Sequence, residues 1–172
     1  MNNLGVAAAA LLFCAACSNQ SSPPGASEPS ALEGAWLMQS VHYVSDEQTQ
    51  SIDPAQTGIF QFSDGRYTIM WTNTREPRSP FADLANPTDE EIKAAFRSIV
   101  FNAGRYEVEG DQVTTTAELA RVPGFEGGQQ FYRYKINDGV LELRMVDETY
   151  PDGSKPDWSG VWETVFVMRP AE

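Results

Sequence analysis

The stretch LEGAWLMQSVHYV, residues 32–44, is the first part of the chain in which side chains alternate with a period of two. That period is typical of a β-strand, in which successive side chains point to opposite faces. The aromatic and β-branched residues of the stretch favour the same structure. We therefore predict a first strand here, with one face formed by Trp36, Met38, Ser40, His42 and Val44.

The composition is that of a globular domain. The chain has 172 residues, of which 41% are hydrophobic and 11% aromatic, which is enough for one domain with a core. Its formal net charge of −12 argues against nucleic acid as a partner, because phosphate binding needs clusters of Lys and Arg. The same charge argues against electrostatic docking on an anionic membrane surface.

The residues that commonly bind metals or carry out catalysis are few. Cys14 and Cys17 both precede the first strand, so the folded domain has no cysteine for a disulfide or a thiolate zinc site. His42 is the single histidine. The chain contains no nucleophile elbow, phosphate loop or dinucleotide fingerprint. We therefore predict no metal, no cofactor and no catalytic residue.

The N-terminus has the features of a leader. Residues 4–16, LGVAAAALLFCAA, have the length of a signal-peptide core, and we predict a signal peptide over residues 1–16. Residues 15–18, AACS, resemble the lipobox of bacterial lipoproteins. That resemblance implies that Cys17 is acylated, with palmitate as the expected acyl group, and that Ser18 favours the outer membrane. An ordinary secretory signal, which would give a secreted protein, is the alternative.

The segment after Cys17 is predicted to be a tether. Residues 17–31 are rich in Ser, Pro and Gly, which supply little apolar surface to offset the entropy lost on ordering. The expected location is therefore the cell envelope, with an outer-membrane anchor at the N-terminus and the domain facing the periplasm.

The rest of the chain is dominated by strand patterns. Asp64 and Gly65 lie between two alternating runs and predict a two-residue hairpin. Thr88 and Glu91 form a capping-box pattern for one helix, whose apolar stripe is expected to pack on the sheet or across a barrel end. With residues 32–44, the predicted strands number eight, and the others are residues 58–63, 66–71, 101–108, 112–119, 129–136, 140–146 and 161–168.

These strands predict an all-β fold. Antiparallel strands joined by short turns can remove their sheet edges by closing into a barrel, and eight strands enclose either packed side chains or one small ligand. Residues 32–170 resemble the bacterial lipocalin-like domain family. The resemblance rests on residues 32–36 (LEGAW), 62–67 (FSDGRY), 102–108 (NAGRYEV), 134–141 (YKINDGVL) and 161–163 (VWE), together with Arg169 and the helix opened by Thr88.

The resemblance implies an eight-stranded antiparallel lipocalin-like barrel with one short α-helix between strands 3 and 4. Trp36 is expected to plug the closed end, stacked under Arg169. The implied function is to bind or carry a small hydrophobic ligand, with fatty acids or similar amphiphiles as the first candidates. The predicted ligand-binding residues are Trp36, His42, Phe60, Phe62, Tyr67, Trp71, Phe81 and Tyr106.

Several interpretations stay open at this point. His42 is either an inward polar anchor or a hydrogen-bonded wall residue, and Phe81 belongs either to a lid over the cavity or to a surface loop. Charged residues such as Glu118 and Arg144 either match a ligand carboxylate or are solvated. For the whole protein, the alternatives to a carrier are an isomerase-like or cyclase-like enzyme using the same cavity, and a structural module that docks on another envelope protein.

Overall fold

Strand β1 (Gly34–Val44) closes the barrel because both of its edges are paired. On one edge it pairs antiparallel with β9 (Glu163–Pro170). On the other edge its first half pairs with β3 (Gly58–Ser63) and its second half with the short β2 (Thr49–Ile52). This computed structural model describes residues 30–171. The signal peptide, Cys17 and nearly all of the tether predicted above lie outside the described residues.

The remaining strands complete the circuit in chain order. Each pairs antiparallel with the next, so β1 and β3 to β9 form a closed barrel of eight strands, as predicted. β2 was not predicted, because its residues TQSI show no hydrophobic alternation. It is a strand only because it pairs with the part of β1 that β3 leaves unpaired. The other strands are β4 (Arg66–Thr72), β5 (Ile99–Glu109), β6 (Gln112–Ala120), β7 (Gln129–Asn137) and β8 (Val140–Thr149).

A β-bulge interrupts the alternation of β1 between Met38 and Ser40. A bulge places two residues of one strand opposite one residue of its neighbour, so every later side chain changes face. Val41 lies opposite the core residue Phe166 and is fully buried, which puts His42 on the outer face. The prediction that His42 shares the inner face with Trp36 is therefore wrong.

The helix α1 (Asp89–Arg97) begins with the predicted capping box. Thr88 Oγ1 accepts a hydrogen bond from the backbone N–H of Glu91 at 3.3 Å, and Glu91 Oε2 accepts one from the backbone N–H of Thr88 at 2.8 Å. No residue of α1 is buried, and Phe96 on its apolar stripe is 47% exposed. The expectation that the stripe is covered by the sheet or by a barrel end is wrong.

One end of the barrel is filled by aromatic and aliphatic side chains. Trp36 is buried, and its indole N–H donates to the carbonyl of Leu32 at 2.8 Å. Phe62 and Tyr106 meet edge to face, with ring centroids 5.2 Å apart. This packing makes the Trp36 end the closed end, as the resemblance implies.

Arg169 does not stack on Trp36. Met168 beside it is fully buried in the core, and successive side chains of β9 point to opposite faces. Arg169 therefore points outward, where it is exposed. Within residues 30–171, the side chain that does stack as a cation on an aromatic ring is Arg121, which lies over Phe96.

No helix within residues 30–171 is long and apolar enough to cross a membrane.

Candidate functional site

A cavity of about 250 Å³ lies at the end of the barrel opposite Trp36. The side chains around it come from the last residues of β1, β4 and β8 and the first residues of β5, β7 and β9, which antiparallel pairing brings to one end. The volume is slightly below the range of about 300–1,000 Å³ found for small-molecule sites. The barrel is thus filled at one end and hollow at the other.

The apolar wall of the cavity is largely aromatic. Trp71 of β4 packs edge to face on Phe166 of β9, with ring centroids 5.2 Å apart. Trp158 and Trp162 extend the wall from the connection between β8 and β9. Trp162 is 43% exposed, so this part of the wall is open to solvent. Such a rim of rings offers contact area to an apolar ligand at a small cost in side-chain entropy.

Another part of the cavity wall carries a cluster of polar side chains from three strands, which we call the polar cluster: Asn102, Gln130, Tyr132 and Glu148. Gln130 is its centre. Its amide oxygen accepts from the Tyr132 hydroxyl at 2.8 Å and from Asn102 Nδ2 at 3.2 Å, and its amide nitrogen donates to Glu148 Oε2 at 2.6 Å. Gln130 and Glu148 lie directly opposite each other in the β7–β8 ladder.

The hydrogen bonds of Gln130 determine how Asn102 is oriented. A carboxylate can only accept hydrogen bonds, so Gln130 must present its NH₂ group to Glu148. The amide oxygen of Gln130 then faces Asn102. Asn102 must then present its own NH₂, which leaves Oδ1 without a partner. Asn102 is 4% exposed, and its Oδ1 is buried with no hydrogen bond within residues 30–171. An unpaired buried acceptor costs about 1–3 kcal/mol.

Glu148 reaches the interior because of a second bulge. Leu141 and Leu143 of β8 are fully buried, and strict alternation would bring Asp147 to the same face. A register shift in the β7–β8 ladder, where Phe131 lies opposite Asp147 but Tyr132 opposite Met145, turns Glu148 inward instead. Asp147 accepts a hydrogen bond from the Ser159 hydroxyl at 2.6 Å and pairs with Lys155.

Burial raises the pKa of the Glu148 carboxyl above its ordinary value of 4.5. The negative charge of Asp147 raises that pKa further, and the hydrogen bond from Gln130 opposes the shift. Burial also raises the pKa of the Tyr132 hydroxyl, so that this group remains a neutral donor. Perturbed carboxyl groups in a concave pocket are typical of functional sites.

Among residues 30–171, no group of three His, Cys, Asp or Glu side chains is arranged to hold a metal ion.

Of the residues predicted from the sequence to bind ligand, Trp71 lines this cavity. The other predicted aromatic residues of the strands belong to the packed core, and the cavity wall does not include them. Their role in ligand binding remains a prediction. They are Trp36, Phe60, Phe62, Tyr67 and Tyr106.

His42 lies outside the cavity and is held by two serines. Its Nε2 is 2.9 Å from Ser40 Oγ and its Nδ1 is 2.7 Å from Ser51 Oγ. These contacts tie β2 to β1 on the outer face. The structure therefore favours the interpretation of His42 as a hydrogen-bonded wall residue.

Phe81 also lies away from the cavity. It contributes to a separate groove of about 270 Å³ between its own loop and α1. The loop is tied to the helix by a hydrogen bond of 2.8 Å from the backbone N–H of Ala82 to Glu91 Oε1. Leu84, the other apolar residue of this loop, is 82% exposed. The structure thus favours a surface loop over a lid.

The charged strand residues lie on the outer wall. Glu118 pairs with Arg66 and with Arg105, the latter at 2.7 Å, and these arginines lower the pKa of its carboxyl. Arg144 pairs with Glu163 at 2.6 Å. These pairs agree with the interpretation of solvated charges and leave none of their members for a ligand carboxylate in the cavity.

The polar cluster is not predicted by the sequence patterns above, although one signal for it was present. Gln130 alternates with Tyr132 and Tyr134, so a polar residue shares a face with two aromatic ones. Asn102 and Glu148 carry no comparable signal. Asn102 is the first residue of the segment NAGRYEV, residues 102–108, and Glu148 directly follows another acidic residue, Asp147.

Comparison with known proteins assigns the chain to a family. The family profile described as the lipocalin-like domain matches residues 33–166. The chain belongs to the lipocalin-like domain family. Among solved structures, this lipocalin-like domain is similar to an uncharacterized protein from Bacteroides eggerthii, at 14% identity and a TM-score of 0.39, covering 81% of this chain and 98% of that chain. No functionally curated protein matches the sequence.

Proposed function

We propose that this lipocalin-like domain binds a small, largely apolar molecule in the cavity at its open end. The observation that carries the proposal is the contrast between a packed end and a hollow one within a single barrel. The cavity is open to solvent at Trp162, which is 43% exposed, and it is lined by three tryptophans. A volume of about 250 Å³ suits a compact ligand or one end of a longer one.

Binding can be measured with the full chain through its own tryptophans. Octanol, titrated at micromolar concentrations, should change the fluorescence of Trp71, Trp158 and Trp162, since all three line the cavity. Replacing Trp158 by Ala should weaken the affinity by about 1–2 kcal/mol, the scale of removing one apolar contact surface.

Tyr150→Ala is the matched control. Tyr150 stands in the same connection and is 40% exposed, but the cavity wall does not include it. This variant should bind as the parent does. If neither octanol nor comparable apolar compounds bind at micromolar concentration, the proposal is wrong, and a docking module becomes the better hypothesis.

We also propose that the domain is held at the cell envelope by an acylated Cys17. The support is the lipobox-like sequence at residues 15–18 and the Ser- and Pro-rich segment that follows it. Two acyl chains give stable membrane anchoring, at about 0.8 kcal/mol per buried CH₂ group. In this arrangement the tether carries the barrel away from the outer membrane into the periplasm.

The anchor is tested by Cys17→Ala followed by fractionation of the cells. The variant should not be processed at this site and should be extracted without detergent. Cys14→Ala is the control, because it changes the neighbouring cysteine and keeps the acylation site. Acylation of the Cys17→Ala protein, or its full retention in the membrane fraction, would contradict the lipoprotein proposal.

A further inference from the structure

We propose that the polar cluster selects the head group of the ligand, and that it prefers a hydrogen-bond donor, best a protonated amine, over a carboxylate. This inference rests on the proposed function and concerns the same cavity. It changes the expected ligand class, because fatty acids, the first candidates suggested by the sequence, carry the disfavoured head group.

The first step is the unpaired oxygen of Asn102. The side chain lines the cavity, is 4% exposed, and leaves Oδ1 buried without a partner within residues 30–171. Its orientation follows from the hydrogen bonds of Gln130, so the amide cannot flip without losing its bond to Gln130 Oε1. A ligand N–H or O–H would satisfy this oxygen, whereas a carboxylate has no proton to offer.

The second step is the charge around the cavity. Glu148 is the one ionisable carboxylate among the described residues that line it, and none of these residues is Lys or Arg. Within residues 30–171, Glu148 takes part in no salt bridge, and Gln130 is its side-chain hydrogen-bond partner. A ligand carboxylate would therefore meet a like charge. An ammonium group would form a charge-assisted hydrogen bond.

Nearby groups do not reverse this preference. Arg121 borders an adjoining groove that Asn102, Gln130 and Glu148 also line. Arg121 does not line the cavity itself, and its guanidinium is held against α1, because Nη1 donates to the carbonyl of Phe96 at 2.6 Å and Cζ lies 4.7 Å from the centre of the Phe96 ring. Its Nε is buried and has no hydrogen-bond partner within residues 30–171. The hydroxyl groups of the cavity wall, such as that of Thr164, can donate or accept and so favour neither head group.

The test compares three probes that share one alkyl chain and differ in the head group: octylamine, octanol and octanoate. Each is titrated into the full chain at neutral pH and at the same salt concentration, with tryptophan fluorescence or calorimetry as the readout. Octylamine should bind tightest and octanoate weakest, with a difference of about tenfold or more, the scale of a hydrogen bond to a charged group. This ranking needs no variant and is therefore independent of any folding defect.

Glu148→Gln then assigns the selectivity to one side chain. The substitution keeps the size of the side chain and removes its charge, so octylamine should lose most of its advantage over octanol, and octanoate should gain affinity. Glu142→Gln is the matched control on the same strand. Glu142 pairs with Lys135 and Arg144 on the outer wall, so the same change of net charge there should leave the ranking intact.

The outcomes separate this inference from the proposed function. If none of the three probes binds, the carrier function fails, and the head-group inference fails with it. If octanoate binds as tightly as octylamine, or if Glu148→Gln and Glu142→Gln shift the ranking equally, the inference is overturned while the carrier function stands. Thermal melts of both variants show whether each is folded under the titration conditions.

Discussion

The two ends of this barrel are built from the same strands and are both rich in aromatic residues, but they differ in how tightly they are packed. At the closed end, Trp36 and Phe62 are buried in a packed core, and the indole N–H of Trp36 has its partner. At the open end, Trp71 and Trp158 border empty space, and Asn102 holds a buried oxygen without a partner. The closed end supplies stability, which lets the open end retain features that cost stability.

This difference shows that unpaired buried polar groups are a better guide to a ligand site in this domain than packed aromatic residues are. Buried polar groups are normally hydrogen-bonded, and exceptions point to an absent partner or a functional role. Packed aromatic residues are the stronger signal in the sequence, yet here they mark the part of the barrel that has no room for a ligand. The weaker signal, a glutamine among tyrosines, marks the cavity.

The largest expected effect is at the closed end. Trp36→Ala should lower the free energy of unfolding by about 3–5 kcal/mol, because it removes a buried indole and leaves a cavity. That is a large share of the roughly 5–15 kcal/mol that stabilises a typical domain. Denaturant titration of the full chain measures the loss.

Trp162→Ala is the matched control at the open end. It removes the same ring from a position that is 43% exposed, and we expect a loss below about 1 kcal/mol because little buried surface changes. Equal losses for the two variants would show that the two ends do not differ in their contribution to stability.

A smaller effect is expected at Glu148, and it depends on pH. The pKa of its carboxyl is raised in the folded protein, so the folded state binds the proton more tightly than the unfolded state. The contribution of this group to stability is therefore fully present below about pH 4.5, the unfolded value, and is lost as pH rises through the folded pKa. At neutral pH, Glu148→Gln should be at least as stable as the parent.

The measurement is the difference in melting temperature between the parent and Glu148→Gln across that pH range. Taking the difference removes the contribution of other carboxyls, such as Glu118, whose pKa is lowered by its arginines. The advantage of Glu148→Gln should grow as pH rises from acid to neutral. An advantage that shrinks over this range would contradict the burial of a charged Glu148.

The smallest effect is expected at Phe81. Because Phe81 belongs to the groove beside α1 and not to the cavity, Phe81→Ser should leave the affinity for octanol unchanged within about twofold, or 0.4 kcal/mol. Loss of affinity comparable to that of Trp158→Ala would show that the loop covers the open end in solution, and that the lid hypothesis was right.

Local structure could be read from the sequence where it depends on near neighbours. The Asp64–Gly65 turn forms as predicted, with both residues at positive φ and Ser63 paired with Arg66. The capping box of Thr88 and Glu91 is also present. The run of alternating strands predicted an all-β fold in which closure is one way to remove exposed sheet edges, and the resemblance to the lipocalin-like domain family implied the eight-stranded barrel.

The site was decided by tertiary structure, through two bulges. Strict alternation along the observed strands would turn His42 and Asp147 to the interior, but the bulge in β1 turns Tyr43 inward and that in β8 turns Glu148 inward. A bulge is set by the hydrogen bonds of the neighbouring strand, which the local pattern does not contain. Closure of the barrel then brings together Asn102, Gln130 and Glu148 from three separate strands. The sequence by itself therefore determined the strands, the turn and the cap, whose causes are local. The cavity and its polar cluster depend on register between distant segments, and only the folded barrel decides that register.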